Sequence, residues 1–166
     1  MKYIRKRISI AVLATLLILC FALSACNKDA GGPGATTTDM LFSHKNEYIG
    51  DASADGAILQ ALNVSALGKY DISLETDSQP YSLTVNFSEI NVPADELNSK
   101  MEMYSYVLLA LIGNADEISW NINADDVKDS KSVTIDDADK AYGNIRDCAA
   151  SVENLHSLLT NIGYYN

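Results

Sequence analysis

Polar and apolar residues alternate in three short stretches of the chain, at residues 70–75, 81–87 and 118–122. A period of two sends successive side chains to opposite faces of a sheet, so each stretch predicts a half-buried strand. Residues 77–80 (DSQP) separate the first two stretches and are rich in turn-forming residue types. We therefore expect the first two strands to form a hairpin.

Apolar residues recur every three or four positions elsewhere, which predicts amphipathic helices. The predicted helices cover residues 53–62, 93–112, 136–142 and 152–162. Ser53 and Ser151 are expected as N-caps, and Pro93 suits the start of the second helix. Thr134 and Asp137 have the spacing of a capping box. These residues predict where the helices begin.

The acidic stretch at residues 123–132 has no apolar period, and we expect it to be a solvated loop. The predicted order is then helix, strand, strand, helix, strand, helix, helix. This order predicts an α+β fold. We expect a small three-stranded, mostly antiparallel sheet with helices packed on one face, in two layers.

The first 25 residues have the features of a lipoprotein signal peptide. Lys2, Arg5, Lys6 and Arg7 precede a mainly apolar run at residues 8–23, which is shorter than the roughly 20 residues that span a bilayer. Leu23-Ser24-Ala25 then precedes Cys26. We expect cleavage before Cys26 and lipidation of its sulfur. The predicted location is the outside of the bacterial cell membrane, with the protein held by its lipid anchor.

Three segments follow from this interpretation. Residues 1–25 are the signal peptide, residues 26–39 are a flexible tether that carries the lipidated cysteine, and residues 40–166 are a single α+β domain. The tether is predicted from its glycine, proline and threonine content. Cys20 leaves with the signal, so Cys148 is the one thiol left in the domain and is expected to be buried.

The acidic composition restricts the partners. The chain has a formal charge of −10, and loss of the four basic residues of the signal takes it to −14. Such a surface repels phosphate backbones, which argues against nucleic acid as a partner. Cationic peptides, metal cations and cationic cell-wall components remain compatible with it.

One segment matches the start of a calcium-binding loop. Asp51, Ser53 and Asp55 stand at its first, third and fifth positions and Gly56 at its sixth. Leu62 occupies the twelfth position, where a bidentate acidic ligand belongs. The alternative interpretation is a helix start, with Ser53 as cap and the two aspartates at the positive end of the helix dipole. We favour the helix start and predict no metal site or cofactor.

Other catalytic chemistry has little support in the sequence. His44, His156 and Cys148 do not have metal-ligand spacing, and no serine lies in a nucleophile-elbow pattern. The expectation is a protein that is not an enzyme and has no catalytic residues. An envelope hydrolase remains as an alternative without nominated residues.

Four aromatic residues allow two interpretations. Trp120, Tyr81, Tyr104 and Tyr106 fit a core or core-edge position, and they also fit a ligand groove beside the sheet.

Four motifs carry a family resemblance. They are HKNEYIGDAS at 44–53, ILQAL at 58–62, PYSLTV at 80–85 and NADEISW at 114–120. With them, residues 41–122 resemble the bacterial family of domain of unknown function 4825. The resemblance implies a domain of surface lipoproteins, and similar domains are associated with the outer segment of antibiotic-sensor-type membrane metallopeptidases. It implies sensing or interaction, supplies no site residues, and favours the helix start over the calcium loop.

These inferences together predict a membrane-anchored, extracytoplasmic bacterial lipoprotein with a non-catalytic binding or sensory domain. Its partner would be an envelope protein, a cell-wall fragment or an antibiotic-like ligand. A calcium-stabilised structural module is the second hypothesis.

Overall fold

The computed structural model describes residues 36–124 and 127–165. The predicted signal peptide, Cys26 and most of the predicted tether lie outside these residues. The helices are α1 (Thr37–Ser43), α2 (Ala52–Ala61), α3 (Ala94–Leu111), α4 (Ile135–Tyr142) and α5 (Val152–Asn161). The strands are β1 (Gly68–Glu75), β2 (Ser82–Ile90), β3 (Glu117–Ala124) and β4 (Val127–Thr134). Short 3-10 turns occupy Val64–Ala66 and Ile145–Ala149.

The sheet has four strands in the order β1-β2-β3-β4. β1 and β2 form the predicted antiparallel hairpin, β2 and β3 are parallel, and β3 and β4 are antiparallel. The α+β class is confirmed, but the prediction of three mostly antiparallel strands is wrong, because the sheet is mixed. The 18-residue helix α3 connects β2 to β3. A crossover of that length is what allows two consecutive strands to lie parallel.

The missing strand is β4, which occupies most of the stretch predicted as a loop. It is an edge strand with few apolar residues. Val133 is buried and Val127 is half-buried, but Asp129 and Lys131 stand opposite Ile122 and Trp120 on the same face of the sheet. Charged residues at these inward positions conceal the alternation, although charges on an edge strand are a common protection against further pairing.

Apolar side chains from one face of the sheet and from the helices form a single core. On β2 and β3 every second residue is buried, and the residues between them are polar or partly exposed. The buried ones are Leu83, Val85, Phe87, Ile118, Trp120, Ile122 and Ala124. Helix α3 packs over β3 and β4, and its residues 107–111 are all buried, as their apolar character on every side of the helix predicts.

Most helix ends follow the predicted caps. The Thr134–Asp137 capping box is present, and Ser151 caps α5. At α2 the cap is Asp51 and not Ser53, since the Asp51 side chain accepts the first free N–H groups. Pro93, predicted as the first residue of α3, is its N-cap, one residue before Ala94. No helix in the part of the chain that the structure describes is long and apolar enough to cross a membrane.

Helix α1 begins inside the segment predicted as a tether. Thr36 and Asp39 form a capping box there, and the helix buries Thr38 and Leu41. Threonines suggest a linker by composition, but Thr36 here satisfies the backbone at a helix start.

Candidate functional site

The two aspartates of the calcium hypothesis accept hydrogen bonds from backbone amides. The Oδ1 atom of Asp51 accepts hydrogen bonds from the amides of Ser53 (3.2 Å) and Ala54 (3.0 Å). Asp55 has no exposed surface. Its Oδ1 accepts from Asn46 Nδ2 at 2.9 Å and its Oδ2 accepts from the Gly50 amide at 3.2 Å. The two carboxylates therefore serve two different structural purposes.

Asp55 belongs to a clasp that fastens residues 46–50 to the end of α3. The Asn46 amide donates to Leu111 O at 3.1 Å, and the Gly113 amide donates to Asn46 O at 2.9 Å. Asn114 Oδ1 accepts from the Ile49 amide at 2.6 Å. We call Asn46, Asp55 and Asn114 the clasp. Asn46 and Asn114 lie in two of the motifs that carry the family resemblance, which gives those motifs a structural explanation.

Burial is the main cause that raises the pKa of Asp55, and the hydrogen bonds from Asn46 and Gly50 oppose it. The carboxylate is thus stabilised by its partners at a cost in desolvation. In the described part of the chain no three His, Cys, Asp or Glu side chains are grouped to hold a metal. Calcium binding stays the second hypothesis, to be tested by the effect of calcium on the melting temperature.

The four aromatic residues singled out in the sequence have different environments. Trp120 is 2% exposed and donates from Nε1 to Asn98 Oδ1 at 2.7 Å. Tyr104 is buried and packs against Tyr164, and Tyr81 is half-buried. Tyr106 is also half-buried, and its ring meets that of Tyr142 edge-to-face with centroids 4.9 Å apart. Trp120 and Tyr104 therefore lie in the core and Tyr81 and Tyr106 at its edge, as the first interpretation predicts, while the ligand groove stays a prediction.

Tyr106 and Tyr142 lie in a groove between α3, β4 and the C-terminal helices. One depression of about 250 Å³ is lined by Glu102, Tyr106 and Trp120, among others. A second, of about 330 Å³, shares Glu102 and Tyr106 and adds Tyr142. The remaining lining residues of these two are Ser99, Met103, Lys131, Ser132, Val133, Asp137 and Ile162. We call the two depressions the tyrosine groove.

A third depression of about 530 Å³ adjoins the groove at Tyr142. It lies among the C-terminal helices and includes Asn144, Asp147, Cys148 and Asn154 in its lining. Its lining contains both polar and apolar side chains. It extends the concave surface available to a ligand beyond the two tyrosines.

The charges in the tyrosine groove differ in their partners. Lys131 Nζ is 3.9 Å from Asp129, and Asp137 is 3.8 Å from Lys140. Glu102 is exposed, and the Tyr106 hydroxyl donates a long hydrogen bond of 3.5 Å to its Oε1 atom. Over the described ranges no lysine or arginine nitrogen comes within 4 Å of its carboxylate.

The negative charge of Glu102 also acts on the two tyrosine hydroxyls of the groove. Burial is the first cause that raises the pKa of Tyr106 and of Tyr142, and the Glu102 carboxylate raises both further. A negative charge that disfavours a nearby phenolate favours a nearby cation for the same reason. The groove therefore combines aromatic surface with an uncompensated carboxylate.

Neither histidine lines the three depressions, and Cys148 lines the third one together with Tyr142. His44 ends α1, while His156 is on α5 with its Nδ1 3.3 Å from Thr38 Oγ1. Cys148 is half-buried, whereas a buried position was expected. Burial, followed by Asp147 and Asp139, raises the pKa of its thiol, which keeps it protonated at neutral pH.

The sequence did not predict the roles of three asparagine side chains and of Tyr142. Asn98 bridges Trp120 and Asp129, donating to Asp129 Oδ2 at 2.9 Å. Asn46 and Asn114 belong to the clasp. Single polar residues carry no periodic signal, so their partners become visible only in three dimensions. Tyr142 ends a predicted helix, and nothing in its spacing relates it to Tyr106.

The described residues thus define a small α+β domain with an open, partly aromatic groove. The family model described as domain of unknown function (DUF4825) matches residues 41–136, more than half of the chain, and the protein belongs to this family. The resemblance found in the motifs is confirmed. No curated protein and no solved structure matches the chain. Glu102 and Tyr106 lie inside the matched range, and Tyr142 lies beyond it.

Proposed function

We propose that this protein is a lipid-anchored, extracytoplasmic binding domain, with a sensory or interaction role, and that the tyrosine groove is its ligand site. The observation that carries the proposal is the combination of Glu102, Tyr106 and Tyr142 in one open groove. Binding sites typically pair aromatic and apolar walls with a few polar groups that orient the ligand. An envelope protein or a cell-wall fragment is the expected class of partner.

The anchoring part of the proposal rests on the sequence before Cys26. Two acyl chains on one cysteine give stable membrane attachment, at about 0.8 kcal/mol for each buried methylene. Metabolic labelling with a fatty acid tests it. The wild type should be labelled and Cys26→Ala should not. A variant that is still labelled would contradict the anchor at this position, whatever the groove binds.

The binding part is tested by crosslinking from within the groove. Tyr142→p-benzoylphenylalanine places a photoreactive ring there, and Tyr48→p-benzoylphenylalanine is the control, because Tyr48 is 67% exposed and lines none of the three depressions. On native membranes we expect a crosslinked species from position 142 that is absent from position 48. The same species from both positions would contradict a ligand site in the groove.

A further inference from the structure

We propose that the tyrosine groove takes a cationic side chain of a peptide, in which an ammonium or guanidinium group ends a flexible apolar stem. This inference rests on the proposed function and names the chemical class of the ligand. It is independent of which peptide carries the side chain and of the lipid anchor.

The first reason is the aromatic pair. The rings of Tyr106 and Tyr142 are inclined by 73°, so the edge of one meets the face of the other. In this arrangement the pair covers one face of one ring and leaves both faces of the other ring uncovered by the pair. Both residues are only half-buried. An electron-rich tyrosine face within about 6 Å attracts a cation, by ~0.5–1 kcal/mol at exposed sites and ~2 kcal/mol when water is excluded.

The second reason is the position of Glu102. It lines both depressions of the groove together with Tyr106, and it lacks a cationic partner in the described part of the chain. Lys131 lines one of the two depressions, but it is more than 4 Å from the Glu102 carboxylate and 3.9 Å from that of Asp129. A bound cation would supply the missing counter-charge next to the ring faces.

The third reason is the apolar floor beside these groups. Met103 and Ile162 are half-buried and line the same depression as Glu102 and both tyrosines. The aliphatic stem of a lysine or arginine covers apolar surface while its head stays at a polar edge. The formal charge of −10 of the chain adds a long-range attraction for cationic peptides.

The protein contains a reporter for this site. Trp120 is the single tryptophan of the chain, and it lines the depression that also contains Glu102 and Tyr106. We expect its fluorescence, measured on the full chain in detergent, to change when a ligand binds in the groove. The probe is N-acetyl-lysine methylamide, and the matched neutral probe is its Nε-acetylated form. N-acetylglucosamine and phosphocholine represent a neutral glycan and a lipid headgroup.

We expect a saturable fluorescence change with the lysine probe, at a Kd of about 1 mM for a single side chain, which is ~4 kcal/mol of binding. The Nε-acetylated probe should bind at least about tenfold more weakly, a difference of ~1.4 kcal/mol. Added salt should weaken the lysine probe and leave the neutral probes unchanged.

Matched variants separate the two groups that would hold the cation. Glu102→Gln keeps the shape of the groove and should weaken the lysine probe about tenfold, which is ~1.4 kcal/mol. Glu96→Gln removes the same charge from the same helix outside the groove and should change the affinity less than about twofold, because exposed distant charges are screened. Tyr142→Phe should retain binding, and Tyr142→Leu should lose about threefold or more.

Several results would overturn the proposal. Equal binding of the lysine probe and its acetylated form, or equal effects of Glu102→Gln and Glu96→Gln, would exclude a specific cation site. A response to N-acetylglucosamine alone would leave a ligand groove but assign it to a glycan. Stronger binding of phosphocholine than of the lysine probe would assign the cation to lipid. If no probe alters Trp120 fluorescence while crosslinking from position 142 still captures a species, the cation assignment fails and the proposed function stands.

Discussion

Replacing Asp55 by asparagine tests whether this residue stabilises the fold through the clasp or binds calcium. Asp55→Asn keeps the size of the side chain and one acceptor oxygen. The wild-type carboxylate accepts from two donors, Asn46 Nδ2 and the Gly50 amide. Asparagine presents one oxygen and one NH2 group, so one of the two donors faces another donor in a fully buried position.

The expected loss follows from these contacts. A buried donor without a partner costs about 1–3 kcal/mol. Removing the charge offsets part of this, because burial opposes the ionised form of Asp55. We expect a net loss of about 2 kcal/mol, which is a fall of roughly 6–8 °C in melting temperature for a domain of this size.

Thermal and urea unfolding with and without calcium provide the assay. Asp51→Asn is the matched control, since it removes the same charge four residues away and asparagine caps helices as well as aspartate does. It should change the stability by less than about 0.5 kcal/mol. Equal losses in both variants that appear only when calcium is present would refute the clasp and support the calcium loop.

The difference in stability between the wild type and Asp55→Asn should depend on pH in a defined direction. The pKa of Asp55 is raised in the folded protein, so the folded state binds the proton at a higher pH than the unfolded chain does. Wild-type stability relative to the variant should therefore increase as the pH falls from the raised value towards the ordinary value of about 4. If the stability of the wild type relative to the variant instead decreased on acidification, burial would not be the main influence on the pKa of Asp55.

Other substitutions test the rest of the fold. Gly68→Ala would place a Cβ 2.1 Å from the Glu89 carbonyl oxygen and should lower the stability by more than about 2 kcal/mol in urea unfolding. Gly56→Ala, in a helix with open space around it, should raise the stability by about 0.5–1 kcal/mol, and equal effects of the two variants would refute the packing argument. Asn98→Ala should cost about 1–3 kcal/mol because the tryptophan N–H loses its acceptor, and an unchanged urea midpoint would contradict this. Hydrogen bonds from the cap of α4 lower the pKa of Asp137, so the stability gap between wild type and Asp137→Ala should be present above about pH 4 and close as the pH falls below it, and a constant gap would count against the cap.

The elements that the sequence predicted are those whose period comes from burial on one face. Strand β3 and helix α3 were predicted because their apolar residues repeat at the spacing of the element. Strand β4 was missed because Asp129 and Lys131 occupy inward positions at the sheet edge. The parallel pairing of β2 and β3 was also missed, although a long helix between two strands is the usual mark of such a crossover.

The groove was predictable in part. Trp120 and Tyr106 were expected either in the core or in a ligand groove beside the sheet. Both line one depression of the tyrosine groove. Tyr142 and Glu102 were not predicted to join them, since contacts between α3 and α4 depend on the angle at which the helices meet. The clasp was hidden for a similar reason, because Asn114 is far in sequence from Asn46 and Asp55 and the three residues share no period.

Photo-crosslinking from position 142 on native membranes, with the lysine probe as competitor, tests the groove most directly. We predict a crosslinked species with Tyr142→p-benzoylphenylalanine that disappears with excess lysine probe and persists with its Nε-acetylated form. Position 48 should give no such species. A species that the lysine probe does not displace, or that position 48 captures equally, would contradict the assignment of the tyrosine groove as a cation-binding site.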